Sequence, residues 1–165
     1  FCCEEGRVLS NYGSAGWGQL IIQGKYRDNH FDDQLVEASA ELLTDFVEEN
    51  EIEWVTAIPS LRRPELVPGF AQRLAERLEL PYVEAIEKVE DTICQKELNT
   101  SFHQHQNAEA SFGVKRALEG NVLLVDDMVD SKWTFTVCGY KLREQGSGKV
   151  YPFALANSAG RTGEV

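Results

Sequence analysis

The stretch "GNVLLVDDMVDSKWTFTVCGYKL", residues 120–142, decides the fold of this chain. Four apolar residues, 122–125, run directly into the adjacent carboxylates of Asp126 and Asp127. A helical pattern resumes a few residues later and ends near Gly146, a residue type that commonly closes helices. A short continuous apolar run is typical of a strand buried on both faces of a parallel sheet. The stretch therefore predicts a buried strand over 121–127 that ends in the two acids, then a loop and a helix.

The rest of the chain repeats this alternation of strands and helices. Amphipathic spacing predicts one helix over residues 33–49 and another from after Pro68 to residue 80. Short runs rich in β-branched residues predict further strands at 54–60, 81–86 and 149–158. The alternation predicts a single α/β domain spanning 1–165, with a mainly parallel sheet and helices on both faces. Two segments fit it less well: we predict an irregular leader over 1–30 with one strand at 20–23, and a mobile polar excursion over 87–115.

Composition excludes several classes of function. The formal net charge of -11 argues against direct binding of nucleic acid by this domain, which requires clustered Lys and Arg. No apolar run is long enough to span a membrane, and no signal-peptide pattern opens the chain. The four cysteines lack CxxC spacing, which favours a reduced, cytoplasmic setting. Because the first residue is Phe1 rather than Met, we expect the chain to be a piece of a longer one.

The acidic pair has a chemical interpretation at the end of a parallel strand. Ligands of open α/β sheets bind beyond the carboxyl ends of the strands, where Asp126 and Asp127 are predicted to lie. Carboxylates suit a sugar diol or a hydrated magnesium ion, whereas the following loop and helix start suit a phosphate. A phosphorylated sugar would satisfy both. The alternative is that the acids only cap the next helix or lie in solvent.

The sequence "VLLVDDMVDSKWT" resembles the phosphoribosyl pyrophosphate (PRPP) binding motif of type I phosphoribosyltransferases. The resemblance implies that Asp126 and Asp127 contact the ribose hydroxyls, and that magnesium accompanies PRPP. It also implies that a loop surrounds the 5-phosphate, formed by Asp130, Ser131, Lys132, Trp133 and Thr134. Asp130 would be the general base. Lys132 stands where the family usually has Gly, so it either supplies positive charge or fills the phosphate site.

Two further stretches extend the resemblance over nearly the whole chain. The segment "AIPSLRRPELVPGFAQRLAERLELPY" is similar to ComF-type phosphoribosyltransferase-like proteins, and it implies that Ser60, Arg62 and Arg63 face a pyrophosphate. The excursion resembles the mobile loop of that group. The front of the chain, "GRVLSNYGSAGWGQLIIQGKYRDNHFDDQLVEAS", resembles the segment opening the C-terminal extension of some bacterial RecQ-family ATP-dependent DNA helicases. Their ATPase motor would lie upstream, because no GxxxxGK[ST] loop occurs here.

The resemblance leaves two functions open. The first is a non-catalytic accessory domain that binds PRPP or a nucleotide for the helicase. The second is an active phosphoribosyltransferase that transfers phosphoribosyl from PRPP to a base.

Several features also have ordinary structural explanations. Arg62 and Arg63 are equally consistent with a solvated surface pair. His103 and His105 lack a third ligand nearby, which favours solvated side chains over a metal site. The glycines of "GSAGWG" are predicted to form turns, since no clear strand precedes them and no helix follows. Trp133 is either part of the helix core or a stacking surface for a base.

Overall fold

A four-stranded parallel sheet forms the centre of the molecule. The computed structural model describes residues 3–11, 16–60, 63–88, 112–129 and 133–157. The strands in chain order are β1 Arg7–Asn11, β2 Ile52–Ala57, β3 Ile86–Lys88, β4 Phe112–Val114, β5 Asn121–Val129 and β6 Val150–Asn157. The central sheet has the order β1-β6-β5-β2, and each neighbouring pair is parallel. The other two strands, β3 and β4, form a separate antiparallel pair.

Helices cover both faces of this sheet. They are α1 Trp17–Gln23, a π-helical turn Gly24–Asp28, α2 Asp33–Glu49, α3 Leu66–Leu78 and α4 Trp133–Glu144. One core, containing Phe70 of α3 and Phe153 of β6, lies between the sheet and α1, α2 and α3. A second core, containing Leu142 of α4 and Leu124 of β5, lies on the opposite face with the β3/β4 pair. The predicted fold class, a mainly parallel sheet with helices on both faces, is confirmed. None of the helices in these ranges is long and apolar enough to cross a membrane.

The apolar run of β5 explains why both faces are needed. Successive strand residues point to opposite faces, so Leu123 and Val125 join the first core and Val122 and Leu124 join the second. All four are fully buried. Removing either helical layer would expose half of this run to water, which is why a continuous apolar strand requires a two-sided cover.

Local sequence sets the helix ends. Helix α2 begins where the Asp32 side chain accepts a hydrogen bond of 2.8 Å from the Gln34 amide, as N-cap residues do. Helix α4 is followed by Gly146 with φ 110°, and the predicted closure there is confirmed. Helix α3 begins at Leu66 rather than after Pro68. Proline is tolerated there because the first-turn amides have no partner within the helix.

Four sequence predictions need correction. The leader that was predicted to be irregular over 1–30 contains β1, α1 and the π-helical turn. The strand predicted at 20–23 is part of helix α1, because a short apolar run alone does not distinguish a strand from a helix. The glycines of "GSAGWG" do follow a strand, β1, and Trp17 opens α1. In the predicted strand over 81–86, only Tyr82 bridges to Val55 of the sheet, and β3 begins at Ile86.

The predicted excursion over 87–115 lies mostly outside the described residues. Its two described ends are not irregular, because β3 and β4 pair there in antiparallel fashion. Ile86 and Phe112, at the two ends of this pair, are buried in the second core. The described ends of this segment are therefore part of the packed body of the domain.

Candidate functional site

A cleft of about 380 Å³ opens beyond the carboxyl ends of β2 and β5. This is the position at which open parallel sheets bind ligands. The cleft is lined by Lys25, Ile58, Pro59, Ser60, Arg63, Leu66, Val67, Lys88, Phe112, Asp126, Asp127 and Thr134. Five of these residues were singled out in the sequence: Ser60, Arg63, Asp126, Asp127 and Thr134.

The remaining sequence candidates stand as follows. Trp133 is the first residue of α4, next to the cleft but outside its lining. Arg62, Asp130, Ser131 and Lys132 lie outside the described residues, as do His103 and His105. Their predicted roles stay predictions.

The acidic pair lies within β5, which continues to Val129. The Asp126 Oδ1 accepts a 2.8 Å hydrogen bond from the Asp127 amide, and the Asp127 Oδ1 accepts one of 2.7 Å from the Met128 amide. Each carboxylate is therefore oriented by the backbone of the next residue.

The two carboxyl groups differ in their surroundings. Burial, and then the charge of Asp127, raises the pKa of Asp126 well above its ordinary value, against the opposing charge of Lys25. On the α4 side, burial and then the charge of Asp126 raise the pKa of the Cys138 thiol, which makes that thiol unreactive. Asp126 therefore takes up a proton more readily than an ordinary carboxyl group.

Asp127 is instead paired with a lysine that the motif does not contain. The Lys25 Nζ lies 3.0 Å from the Asp127 Oδ2, and the two side chains are only 19% and 13% exposed. Lys25 belongs to the π-helical turn after α1, within the leader that was predicted to be irregular. Sequence reasoning missed it, because nothing local to residue 25 indicates a contact with residue 127.

Close packing at Gly24 fixes the position of this turn. A Cβ atom at Gly24 would lie 2.7 Å from the Phe31 Cδ1 and 2.9 Å from the His30 carbonyl oxygen. Phe31 is fully buried against Phe70, with ring centroids 5.8 Å apart in an edge-to-face arrangement. Only glycine permits this approach, so the turn and its lysine are held against the first core.

Two more cations complete the charged lining. The Arg63 guanidinium lies 5.2 Å from the centroid of the Tyr26 ring, and the Lys88 Nζ lies 4.3 Å from that of Phe112. Aromatic faces attract cations at these distances and help to hold them in place. The cleft thus collects three cations in a protein whose formal net charge is -11.

The loop after β2 and the start of α4 form the rest of the lining. The Ser60 Oγ accepts a long hydrogen bond of 3.4 Å from the Arg63 amide, which closes the loop on itself. Thr134 is in the first turn of α4, where helix amides have no partner within the helix. Cations, a hydroxyl group and a helix start in one cleft are suited to a phosphate group.

The same lining suits a protein-held magnesium ion poorly. Among residues 3–11, 16–60, 63–88, 112–129 and 133–157, no three His, Cys, Asp or Glu side chains cluster in a way that could hold a metal. Of the two acids present, Asp127 is already paired with Lys25, and the pKa of Asp126 is raised. Magnesium prefers several oxygen ligands, of which carboxylates supply the charge. The described residues therefore do not fit this ion as a direct ligand set.

Comparison with known proteins finds similar solved structures but no matching sequence. No protein-family model matches the chain, and no curated protein sequence does. Similar solved structures include an adenine phosphoribosyltransferase, at 16% identity over 74% of this chain and 69% of that chain, with a TM-score of 0.48. A purine phosphoribosyltransferase from Pyrococcus horikoshii Ot3 aligns at 13% identity over 92% and 89%, with a TM-score of 0.49.

A third similar structure is a hypothetical protein from Neisseria gonorrhoeae with bound ppGpp. It aligns at 16% identity over 96% of this chain and 79% of that chain, with a TM-score of 0.45. At these identities and TM-scores the similarities carry no argument about function.

Proposed function

We propose that this cleft binds a phosphorylated ribose ligand, either PRPP or a nucleotide, and that the domain acts as an accessory binding module. One observation carries the proposal: a pair of carboxylates and three cations line one cleft at the carboxyl ends of parallel strands. Its volume of about 380 Å³ falls within the range of roughly 300–1,000 Å³ typical of small-molecule sites.

Each part of the lining has a role in this proposal. Carboxylate oxygens of Asp126 and Asp127 accept hydrogen bonds from the vicinal hydroxyls of ribose. Arg63 and Lys88 pair with phosphate oxygens, and the guanidinium of Arg63 presents two donors to one phosphate. Thr134 and the first amides of α4 complete the phosphate contacts. The predicted phosphate loop, including Ser131 and Lys132, would join them, with Arg62 beside a pyrophosphate.

The accessory role concerns the parent chain. The front of the sequence resembles the extension of RecQ-family helicases, and we propose that this domain reports a bound ligand to a helicase motor upstream. Its net charge of -11 supports a role other than direct binding of DNA. The test is the rate of ATP-dependent DNA unwinding by the parent chain with and without PRPP. A rate that PRPP leaves unchanged would contradict the accessory role and leave the binding proposal standing.

An active phosphoribosyltransferase is the second candidate. The observation that favours it is the β3/β4 pair, which brings Lys88 and Phe112, the residues flanking the predicted excursion, to the wall of the cleft. In this candidate function, the predicted excursion would close over a bound substrate and exclude water. Asp130 would be its general base. Release of pyrophosphate on incubation with PRPP and a panel of bases would establish this activity, whereas binding without release supports the accessory module.

The binding proposal is tested by calorimetric titration of the chain with PRPP and, separately, with inorganic pyrophosphate. We expect micromolar PRPP binding, which corresponds to about -8 kcal/mol, and weaker binding of pyrophosphate, which lacks the sugar. The double variant Asp126→Asn, Asp127→Asn should lose this preference, because an amide retains only one acceptor oxygen for the diol.

Asp45→Asn serves as the matched control, because Asp45 is an exposed carboxylate on α2 outside the cleft. The control should keep the preference for PRPP over pyrophosphate. An unchanged preference in the double variant would show that the acids do not contact the sugar. Absence of binding by either ligand would refute the site.

A further inference from the structure

The ion pair between Lys25 and Asp127 places a positive charge inside the acidic half of the cleft. The ammonium and carboxylate are 3.0 Å apart, and both side chains are largely shielded from water. Lys25 reaches this position from a turn that packs closely on Phe31 at Gly24. It is therefore a built part of the site rather than a surface residue that happens to be near it.

The charges around the cleft do not require a metal to attract an anion. Among the described residues, the cleft is lined by three cations, Lys25, Arg63 and Lys88, and by two carboxylates. These side chains together carry one positive charge in excess even when both acids are ionised. In many phosphate sites a divalent cation bridges carboxylates and phosphates and cancels their repulsion. Here an ammonium group already lies at the carboxylate where such an ion would be needed.

We infer that Lys25 is the permanent counter-ion of the acidic pair, and that the cleft therefore takes its phosphorylated ligand as the metal-free anion. This inference rests on the proposed function, since it describes how the same cleft binds its ligand. Magnesium would have to displace the ammonium from a carboxylate that is only 13% exposed, and it gives up its own water shell reluctantly.

The inference also broadens the class of ligand. A metal-dependent site favours diphosphates, because adjacent phosphates chelate magnesium. A site that carries its own counter-ion has no such requirement, so sugar monophosphates such as ribose 5-phosphate become ligands alongside PRPP. The acids then select the ribose hydroxyls, while Arg63 and Lys88 neutralise the phosphate.

The experiment is calorimetric titration of the chain with PRPP and with ribose 5-phosphate, each in excess EDTA and in millimolar magnesium. Three variants accompany the wild type: Lys25→Met removes the charge, Lys25→Arg keeps it, and Lys149→Met removes an exposed cation that does not line the cleft. A thermal unfolding curve for each variant confirms that it is folded.

We expect the wild type and Lys149→Met to bind both ligands with affinities that EDTA changes by less than about twofold. Lys25→Met should bind PRPP roughly tenfold or more weakly in EDTA and regain affinity in magnesium, because an unpaired buried carboxylate repels the phosphate. Lys25→Arg should behave like the wild type.

The possible results distinguish failure of this inference from failure of the proposed function. Wild-type binding that requires magnesium would overturn the inference and leave the proposed function intact. Unchanged affinity of Lys25→Met in EDTA would also overturn it. Failure of the wild type to bind either ligand in both buffers would refute the proposed function, and the inference with it. If Lys25→Met does not fold, the wild-type comparison between EDTA and magnesium decides alone.

Discussion

The Lys25–Asp127 ion pair is expected to stabilise the folded domain by about 2 kcal/mol of coupling free energy. The perturbation is a double-mutant cycle made of Lys25→Met, Asp127→Asn and the double variant. Such a cycle isolates the interaction between the two side chains from the separate effects of each substitution.

The magnitude follows from the distance and the burial of the pair. Two unit charges 3.0 Å apart attract by about 5 to 6 kcal/mol at an effective dielectric constant of about 20. Removing both ions from water costs several kcal/mol and offsets much of this attraction. The net stabilisation is then that of a hydrogen bond between charged groups, about 1.5 to 3 kcal/mol.

The assay is urea unfolding followed by tryptophan fluorescence, with Trp54 as a fully buried reporter. Urea is preferred because guanidinium chloride is a salt and would screen the charges. The matched control is the cycle for Lys115 and Glu84, an ion pair whose side chains are 38% and 67% exposed. Exposed pairs of this kind contribute about 0 to 1 kcal/mol.

A coupling free energy for Lys25 and Asp127 no larger than that of the control pair would contradict the expected stabilisation by this ion pair. It would mean that the ammonium is not held at the carboxylate, and that the cleft has no permanent counter-ion. A second check is salt: the control coupling should decline between low and high ionic strength, whereas the shielded pair should keep most of its value.

Two further predictions concern Asp126 and Gly24. Because burial raises the pKa of Asp126 in the folded state, its contribution to stability is present at acidic pH and is lost as pH rises through the folded-state value. Asp126→Asn should therefore unfold at a higher temperature than the wild type at neutral pH, by about 2–4 °C per kcal/mol gained. This gain should vanish below about pH 4. A gain that is independent of pH would contradict the raised pKa of Asp126. Gly24→Ala should destabilise the domain by about 1 to 3 kcal/mol and weaken PRPP binding, since the added methyl meets Phe31 and moves Lys25. The control Gly69→Ala lies in α3, where the new methyl meets no described atom within 4 Å outside its chain neighbours and the nearby backbone of its own helix. It should leave binding unchanged, and equal urea midpoints for the two variants would contradict this prediction.

The elements that the sequence predicted correctly are those with a strong local pattern. Helix α2 was predicted with its observed bounds, 33–49, because its apolar residues recur at helical spacing with acidic residues on the other face. Strand β5 was predicted because a run of four apolar residues flanked by polar residues is typical of a short buried strand. The errors fall where the local signal is weak, as in the run at residues 20–23, where Ile21 is buried in a helix.

The residues of the candidate site likewise fall into those that the sequence indicated and those that it did not. Asp126 and Asp127 were found because they follow a predicted strand, and parallel strands bring such positions to the ligand-binding edge of the sheet. Ser60, Arg63 and Thr134 were found through the resemblance to phosphoribosyltransferase motifs. Lys25 and Lys88 were not found. They enter the cleft through the turn after α1 and through β3, both of which were predicted incorrectly or incompletely.

Local hydrophobic periodicity predicted helices α2, α3 and α4 and strands β2, β5 and β6 in their observed order, together with the two-sided burial of β5. The acids at 126 and 127 are likewise a local feature of the chain. The periodicity did not predict β1, α1 or the β3/β4 pair. Only the tertiary structure decided which cation pairs with Asp127. Residues 25 and 127 are neighbours because a buried turn packs on Phe31 while β5 runs through the middle of the sheet. Such a contact depends on how the whole core packs, and this packing produces no recognisable sequence pattern near residue 25 or residue 127.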